Sequence, residues 1–151
     1  RTVPKGKFAL VLHGSPAMSQ LVMRDDSNVF ISQGFVPLDQ LNTVIGSCDI
    51  GLALYDTTIA NTRHTAFSSE KVTRYLQCGK PFIAFRSESF EHLRNKYRCC
   101  ELIESIHSLP DAVVTILDAY DCYSAEAFRA FEAEYSESVA IPKLAAFFGN
   151  V

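Results

Sequence analysis

Hydrophobic and polar positions along the chain follow two alternating patterns. A continuous apolar run, typical of a parallel strand covered on both faces, occurs at residues 8–12, and further strands are predicted at residues 28–32, 49–55, 81–85 and 99–103. Between these segments, apolar residues recur at the spacing of amphipathic helices, which begin near Ser15, Pro37, Ser69, Ser87, Leu109 and Ser124. Strands that alternate with helices predict an α/β fold, a doubly wound parallel sheet in three α/β/α layers.

Local signals set several of the expected helix boundaries. Gly79 follows the helix that opens at Ser69, and it predicts a left-handed residue just past that helix. Tyr123 and Phe128 lie on either side of Ser124 at hydrophobic-staple positions, which predicts that Ser124 caps the last long helix. The second helix is expected to bury a stripe formed by Leu38, Leu41, Val44 and Ile45.

Size and charge restrict the class of protein. The chain has 151 residues, 48% of them hydrophobic and 21% charged, which is the size and composition of one globular domain. Its formal net charge of −3 argues against a nucleic-acid binder, whose surface would be basic. No apolar run approaches the roughly 18–20 residues of a membrane-spanning helix, and residues 1–7 lack the apolar core of a signal peptide.

The cysteine pattern bears on the compartment and on metal binding. The five cysteines are odd in number and irregularly spaced, which argues against a disulfide framework and favours a reducing, cytoplasmic location. No cysteine or histidine pair has the spacing of a zinc site, and we expect no bound metal.

The segment from residue 67 to 85 combines a predicted helix start with residues that could bind an anion. Ser68, Ser69 and Lys71 stand where a helix opens, and the free N–H groups of a first turn favour an anion such as phosphate. Ligands of doubly wound sheets bind beyond the carboxyl ends of the strands, near helix N-termini. The alternative is structural: the serines only cap the helix and the lysine is solvated. The chain has neither GxGxxG nor GxxxxGK[ST], which argues against a dinucleotide site or a Walker-type NTPase.

Three motifs occur in a fixed order. VFISQGFVP spans residues 29–37, SCDIGLALY spans residues 47–55, and SEK followed by YLQCGKP lies within residues 69–81. The ordered set resembles the C-terminal half of a GT-B glycosyltransferase, in particular the family 1 and family 4 retaining enzymes of bacterial polysaccharide and glycoconjugate synthesis. The resemblance rests on motifs over residues 8–85 and on element order beyond.

The resemblance implies a division of labour between two domains. In GT-B enzymes the C-terminal domain binds a nucleotide-sugar donor, and an N-terminal domain binds the acceptor. Catalysis needs no metal, because a helix dipole, backbone N–H groups and basic side chains stabilise the departing diphosphate. The substrate would be a UDP- or GDP-linked sugar, and no cofactor is implied. The implied donor-binding residues are Gly14, Ser15, Phe35, Val36, Ser68, Ser69, Glu70, Lys71 and Arg74.

This chain departs from the family pattern in three places. Arg74 stands where many relatives carry a ribose-binding Glu, and Ala66 stands where they carry a sugar-binding Glu; Glu70 lies nearby. Seven residues precede the strand at Phe8, where the family has a further strand and helix. We therefore expect residues 1–151 to be a single Rossmann-like domain, a fragment that lacks that unit and the acceptor domain, and to transfer little or no sugar alone. No catalytic residue is assigned.

Two other classes of protein compete with the donor domain. The first is a non-catalytic module of the same fold that binds a protein partner, and Arg74 and Ala66 at the acidic positions favour it. Such a module predicts an exposed apolar surface covered by a partner or by self-association; membrane contact is expected only through the absent domain. The second is a flavodoxin-like or receiver-like domain, but a receiver needs an acidic cluster where His13, Gly14 and Ser15 stand.

Overall fold

A computed structural model describes residues 8–12, 28–31, 34–56, 59 and 64–149 of the chain. These residues fall into two compact units, one within residues 1–41 and one within residues 42–151. Within the described part of the chain, no helix is both long and apolar enough to cross a membrane.

The first unit contains a two-stranded parallel sheet. Strand β1 (Leu10–Leu12) pairs with β2 (Val29–Ile31), and the Leu10 N–H donates to the Asn28 carbonyl at 2.8 Å. The sequence predicts strands covered on both faces, but the side chains of Leu10, Val11 and Phe30 remain 38%, 49% and 60% exposed. The helix expected after β1, near Ser15, lies outside the described residues.

The second unit contains three parallel strands and most of the helices. Its strands are β3 (Gly51–Ala53), β4 (Phe82–Phe85) and β5 (Cys100–Ile103), in the order β3-β4-β5. The helices are α1 (Leu41–Gly46), α2 (Thr65–Ser68), α3 (Glu70–Gln77), α4 (Glu88–Lys96), α5 (Leu109–Asp118), α6 (Tyr120–Glu134) and α7 (Glu137–Gly149), and a 3-10 turn (Ile106–Ser108) precedes α5.

Successive residues of β4 point to opposite faces of this sheet. Phe82 and Ala84 belong to a buried cluster that includes residues of α3, α4 and α6. Ile83 belongs to a second cluster, with Ala112 and Ile116 of α5. Helices therefore pack on both faces of a parallel sheet, which confirms the α/β class. The Phe82 and Phe90 rings make an edge-to-face pair at 5.7 Å, and full burial of each ring contributes about 1.5–3 kcal/mol.

The turn after α3 has the conformation that the sequence predicts. Gly79 has a φ of +62°, the left-handed region where a side chain is strained. The Gly79 N–H donates to the Leu76 carbonyl at 2.9 Å, and the Lys80 N–H donates to the Tyr75 carbonyl at 2.8 Å. These bonds satisfy carbonyls at the end of α3. Pro81 follows this turn and immediately precedes β4.

Three predicted boundaries were wrong. The first turn of α6 begins at Tyr120, so Ser124 lies inside the helix rather than at its cap, and its hydroxyl donates to the Gly79 carbonyl at 2.7 Å. The polar stretch of residues 56–66, in which the sequence pattern predicts neither helix nor strand, ends in the short helix α2. Helix α1 begins at Leu41 rather than near Pro37, and Leu38 of the predicted stripe is 72% exposed, because residues 38–40 form a turn.

Glu134 joins three helices of the second unit. Its carboxylate accepts from Lys96 Nζ at 2.5 Å and from the Tyr97 hydroxyl at 2.9 Å, and it lies 3.7 Å from Lys143 Nζ. The acidic residues of this region predict a solvated helix face formed by Glu126, Glu132, Glu134 and Glu137. That prediction is wrong at Glu134, whose side chain is only 16% exposed. These partners favour the ionised carboxylate, and the Lys96 hydrogen bond is the largest cause of its lowered pKa.

We predict that Gly51→Ala destabilises the protein by about 1–3 kcal/mol. A Cβ at this position would lie 2.4 Å from the Tyr75 ring, so the ring would have to move. Gly46→Ala is the matched control, because a Cβ there meets no atom within 4 Å. Urea unfolding followed by circular dichroism measures both variants. Equal midpoints for Gly51→Ala and the wild type would contradict the close packing.

We predict that Glu134→Gln reduces the loss of stability in acid. Because folding lowers the pKa of Glu134, its pairing stabilises the fold above the unfolded pKa, about 4.3, and is lost as the pH falls through the lowered pKa. Urea midpoints measured between about pH 3 and 7 should fall less in acid for Glu134→Gln than for the wild type. Glu132→Gln, at an exposed position of the same helix, should keep the wild-type dependence.

Candidate functional site

The N-terminus of α3 is capped as the sequence predicts. Ser69 has extended backbone angles, and its Oγ accepts from the Val72 N–H at 3.3 Å. The same oxygen lies 2.6 Å from the hydroxyl of Tyr55, the second residue after β3. Ser69 is 8% exposed, so its hydroxyl is a buried link between the strand end and the helix start.

Lys71 extends the contact between this helix and Tyr55. Its ammonium lies 5.3 Å from the centroid of the Tyr55 ring, a cation–π contact at an exposed residue that contributes about 0.5–1 kcal/mol. The Tyr55 side chain therefore contacts the capping serine with its hydroxyl and the lysine with its ring. Together the three residues place a cation beside a helix N-terminus, an arrangement that attracts anions.

An open cleft of about 370 Å³ lies at the carboxyl edge of the three-stranded sheet. It is lined by Leu54, Tyr55, Asp56, Phe85 and Glu104, residues at or just beyond the ends of β3, β4 and β5. This is the edge at which parallel α/β sheets bind ligands. Tyr55 is the one residue shared by the cleft and the capped helix start.

Arg86 closes one side of this edge through two ion pairs. Its guanidinium contacts Glu91 at 2.7 Å and also contacts Glu104, which lines the cleft. These two hydrogen-bonded carboxylates, Glu91 first, raise the pKa of Arg86 above its usual range. The charge of Glu104 is thus paired, and Asp56 adds a second carboxylate to the lining. Lys71 contacts the ring of Tyr55 and does not itself line the cleft.

Glu70 and Arg74 lie on a different surface of α3. Arg74 Nη2 is 2.7 Å from Glu70 Oε1, and Arg74 Nη1 donates to Asn42 Oδ1 at 3.1 Å. The Asn42 amide in turn donates to Gln77 at 3.2 Å. These residues line a groove of about 550 Å³, together with Thr73, Phe131, Tyr135, Ser136 and Glu137. Arg74, at the position where the GT-B resemblance would place a ribose-binding acid, therefore has its charge balanced by Glu70.

The remaining predicted site residues are distributed as follows. The Ser68 hydroxyl, on the exposed surface of α2, donates to the His64 carbonyl at 3.1 Å. Phe35, 74% exposed, and the half-buried Val36 belong to the first unit. Gly14 and Ser15 lie outside the described residues. The structure thus brings Ser69 and Lys71 together at Tyr55, and it groups Glu70 with Arg74 in the Asn42 groove.

Ala66, at the position where the GT-B resemblance would place a sugar-binding acid, is completely buried. Its N–H donates to Ser89 Oγ at 3.4 Å, and its carbonyl accepts from the Tyr135 hydroxyl at 2.7 Å. Burial of the Tyr135 side chain is the main cause that raises the pKa of its phenol well above the usual range. The backbone here is thus committed to packing between α2 and α6, and no side chain at position 66 reaches a ligand.

Two residues of these surfaces were missed by the sequence reasoning. Tyr55 was recognised only as the end of a strand, although a polar aromatic residue just past a parallel strand stands at the ligand edge. Asn42 was not singled out, and its partner Arg74 is 32 positions away in the chain. Among the described residues, no group of three histidine, cysteine, aspartate or glutamate side chains is placed to hold a metal ion.

Comparisons with protein-family models, with curated proteins and with solved structures found no match to this chain.

We predict that Ser69→Ala destabilises the protein by about 0.5–2 kcal/mol, because it removes the cap of α3 and leaves the Tyr55 hydroxyl without its partner. Ser68→Ala is the matched control, and it should lie within about 0.5 kcal/mol of the wild type, since its hydroxyl is exposed. Urea unfolding measures both. Equal destabilisation by the two changes would contradict the buried link.

Proposed function

We propose that this chain is the donor-binding half of a GT-B glycosyltransferase, which transfers a sugar from a nucleotide sugar to a glycan or glycoconjugate acceptor without a bound metal. The observation that carries the proposal is the junction of Ser69, Lys71 and Tyr55, where a capped helix start and a cation adjoin the cleft at the carboxyl edge of the sheet. A diphosphate carries the charge that such a junction attracts.

The proposal includes the finer architecture and the setting that the resemblance implies. The family has a doubly wound, three-layer α/β/α sheet, and the second unit contributes three parallel strands with helices on both faces. The donor is a UDP- or GDP-linked sugar, and transfer requires the acceptor domain of a full-length hexosyltransferase. A cytoplasmic location agrees with five cysteines that are all free thiols.

A second candidate function is a non-catalytic module of the same fold that binds a protein partner. The specific observation in its favour is the state of the two positions that carry acids in the family. Arg74 is engaged by Glu70 and Asn42, and Ala66 is buried under the Tyr135 hydroxyl. Neither position offers a carboxylate to the hydroxyls of a ribose or a sugar. This is the state expected of a domain that no longer binds a nucleotide-sugar donor.

We predict that UDP or GDP binds to this chain and that Lys71→Ala weakens the binding about tenfold or more, the loss expected for one charge-assisted contact. Isothermal titration calorimetry with each nucleotide, and with the corresponding nucleotide glucose, measures the effect. Lys71→Arg should retain most of the affinity, because it keeps the charge.

Lys80→Ala is the control for this experiment, since Lys80 follows the other end of α3, past Gly79. Equal weakening by Lys80→Ala and Lys71→Ala would point to a general charge effect rather than to the junction. If no nucleotide gives heat at millimolar concentration while the chain unfolds cooperatively, the donor-domain proposal fails and the interaction module is favoured.

A further inference from the structure

A row of exposed cations lies along helix α6. The row, here called the basic strip, is formed by side chains of α6, of α7 and of the segment from the end of α4 to β5, and it consists of Arg94, Lys96, Arg98, Arg129 and Lys143. Three carboxylates lie among these cations, those of Glu101, Glu126 and Glu134. The strip is therefore positive overall, although the chain as a whole has a formal net charge of −3. An excess of one charge on one surface favours a partner of opposite charge.

Shared partners hold the cations at the α7 end of the strip. Lys96 and Lys143 both approach the Glu134 carboxylate, at 2.5 and 3.7 Å. Lys96 and Arg129 both lie over the Tyr97 ring, at 5.3 and 5.0 Å from its centroid. Each of these cations is thus held by a carboxylate or by an aromatic ring, and neighbouring cations share that partner.

The other end of the strip is built around Tyr123. The Arg98 guanidinium lies 5.1 Å from the centroid of the Tyr123 ring. The Tyr123 hydroxyl donates to Glu101, and the same carboxylate lies 3.3 Å from Arg94 Nη2. Two arginines are therefore fixed here by one buried tyrosine and its carboxylate partner.

Glu126 joins the two ends into one surface. Its carboxylate pairs with Arg129 at 2.5 Å and accepts the backbone N–H of Arg98. The Arg129 hydrogen bond is the main cause of the lowered pKa of Glu126, so this carboxylate is ionised at neutral pH. Tyr123 and Glu134, near the two ends of the strip, are eleven residues apart on α6, which corresponds to about 16 Å at the rise of an α-helix.

The strip presents its cations to solvent and its carboxylates to the protein. In its four ion pairs, the cation is 42% to 65% exposed and the carboxylate only 14% to 25%. The pairs of Arg74 with Glu70 and of Arg86 with Glu104 have the reverse arrangement, because there the carboxylate is the more exposed member. A ligand that approaches the basic strip therefore meets positive charge first.

We propose that the basic strip binds an acidic segment of a partner protein, rich in aspartate or glutamate. An extended segment of about five or six residues, at about 3.3 Å per residue, is long enough to follow the strip. The planar guanidinium groups of Arg94, Arg98 and Arg129 match carboxylates in bidentate geometry. Because tyrosine rings and half-buried carboxylates already hold these cations, little side-chain freedom is lost when the segment binds.

The chemistry of the strip favours an acidic protein segment over two other polyanions. Single-stranded nucleic acid binds through bases that stack on exposed aromatic rings, but Tyr97 and Tyr123 are buried beneath the cations. The net negative charge of the chain also opposes a long, densely charged polymer. An anionic membrane attracts lysine and arginine as well, but interfacial binding also inserts apolar side chains, and the two aromatic residues of the strip are buried.

This inference goes beyond the proposed donor site. None of the five cations lines the cleft at the carboxyl edge of the sheet or contacts Tyr55 in the contacts described above. Peptide binding at the strip and nucleotide binding at Lys71 are measured separately, so either proposal can fail while the other holds.

Fluorescence anisotropy of a fluorescein-labelled hexaglutamate peptide, titrated with the full chain, tests the proposal. At about 50 mM salt, where surface charges are weakly screened, we expect a dissociation constant on the order of 10–100 μM. Arg129→Gln should weaken binding about threefold or more, and the double variant Arg98→Gln/Arg129→Gln about tenfold or more, because each removes a charge-assisted contact. Arg86→Gln is the matched control, since it removes an exposed guanidinium outside the strip. Circular dichroism checks that the variants keep the fold.

A labelled hexaglutamine peptide controls for the dye and should not bind. The proposal is overturned if hexaglutamate does not bind at about 0.5 mM chain, or if Arg129→Gln weakens binding no more than Arg86→Gln does. It is also overturned if a labelled thymidine hexanucleotide, or vesicles of phosphatidylcholine and phosphatidylserine, bind more tightly than hexaglutamate and lose that binding in Arg129→Gln. The strip would then be a site for nucleic acid or for a membrane.

Discussion

The contact between the Tyr75 ring and Gly51 is the constraint on which the second unit depends. Only a residue without a Cβ lets the ring lie on the backbone of β3, because a Cβ at Gly51 would stand 2.4 Å from a ring carbon. The Tyr75 hydroxyl donates to the Leu52 carbonyl at 3.3 Å, and burial is the main cause of the raised pKa of Tyr75. Together these contacts fix α3 against β3. Since Ser69 opens α3, the same seating brings Ser69 to Tyr55.

The polar groups at this junction have structural roles as well as chemical ones. Ser69 caps α3 and also contacts Tyr55, so its hydroxyl is already engaged. A ligand in the cleft therefore meets the Tyr55 side chain, whose hydroxyl is already bonded to Ser69, rather than a free serine. In the neighbouring groove, Glu70 balances the charge of Arg74, so a ligand there meets a neutral pair. The two surfaces of α3 thus differ: Lys71 lies at the Tyr55 ring on the first, and Arg74 is paired with Glu70 on the second.

The C-terminal helices show how one element is held on one side and left open on the other. The Glu134 carboxylate accepts hydrogen bonds from Lys96 and Tyr97 and pairs with Lys143. These contacts connect α6 to α4 and α7. Lys143 of α7 lies 3.7 Å from Glu134, which places this cation on the α6 side of its helix. Ile141, Leu144 and Phe148 of the same helix remain more than half exposed.

Much of this structure follows from local sequence. Apolar runs marked β3, β4 and β5, and Gly79 marked the end of α3, because burial on both faces and a positive φ restrict which residues are allowed. Ser69 was predicted as a cap for the same kind of reason: its oxygen serves a donor three residues away. Such signals are local, and they can be read without knowledge of the fold.

Tertiary structure alone decided the contacts between residues distant in sequence. The sequence predicted Ser124 as a helix cap, but its hydroxyl reaches Gly79, 45 positions earlier, and the helix begins at Tyr120 instead. The sequence pattern predicts that Glu134 is solvated and that Arg74 binds a ligand. In the structure, each side chain also has a protein partner more than 30 positions away in the chain. Charge and hydroxyl patterns do not specify their partners, because the partner depends on which elements the packing brings together.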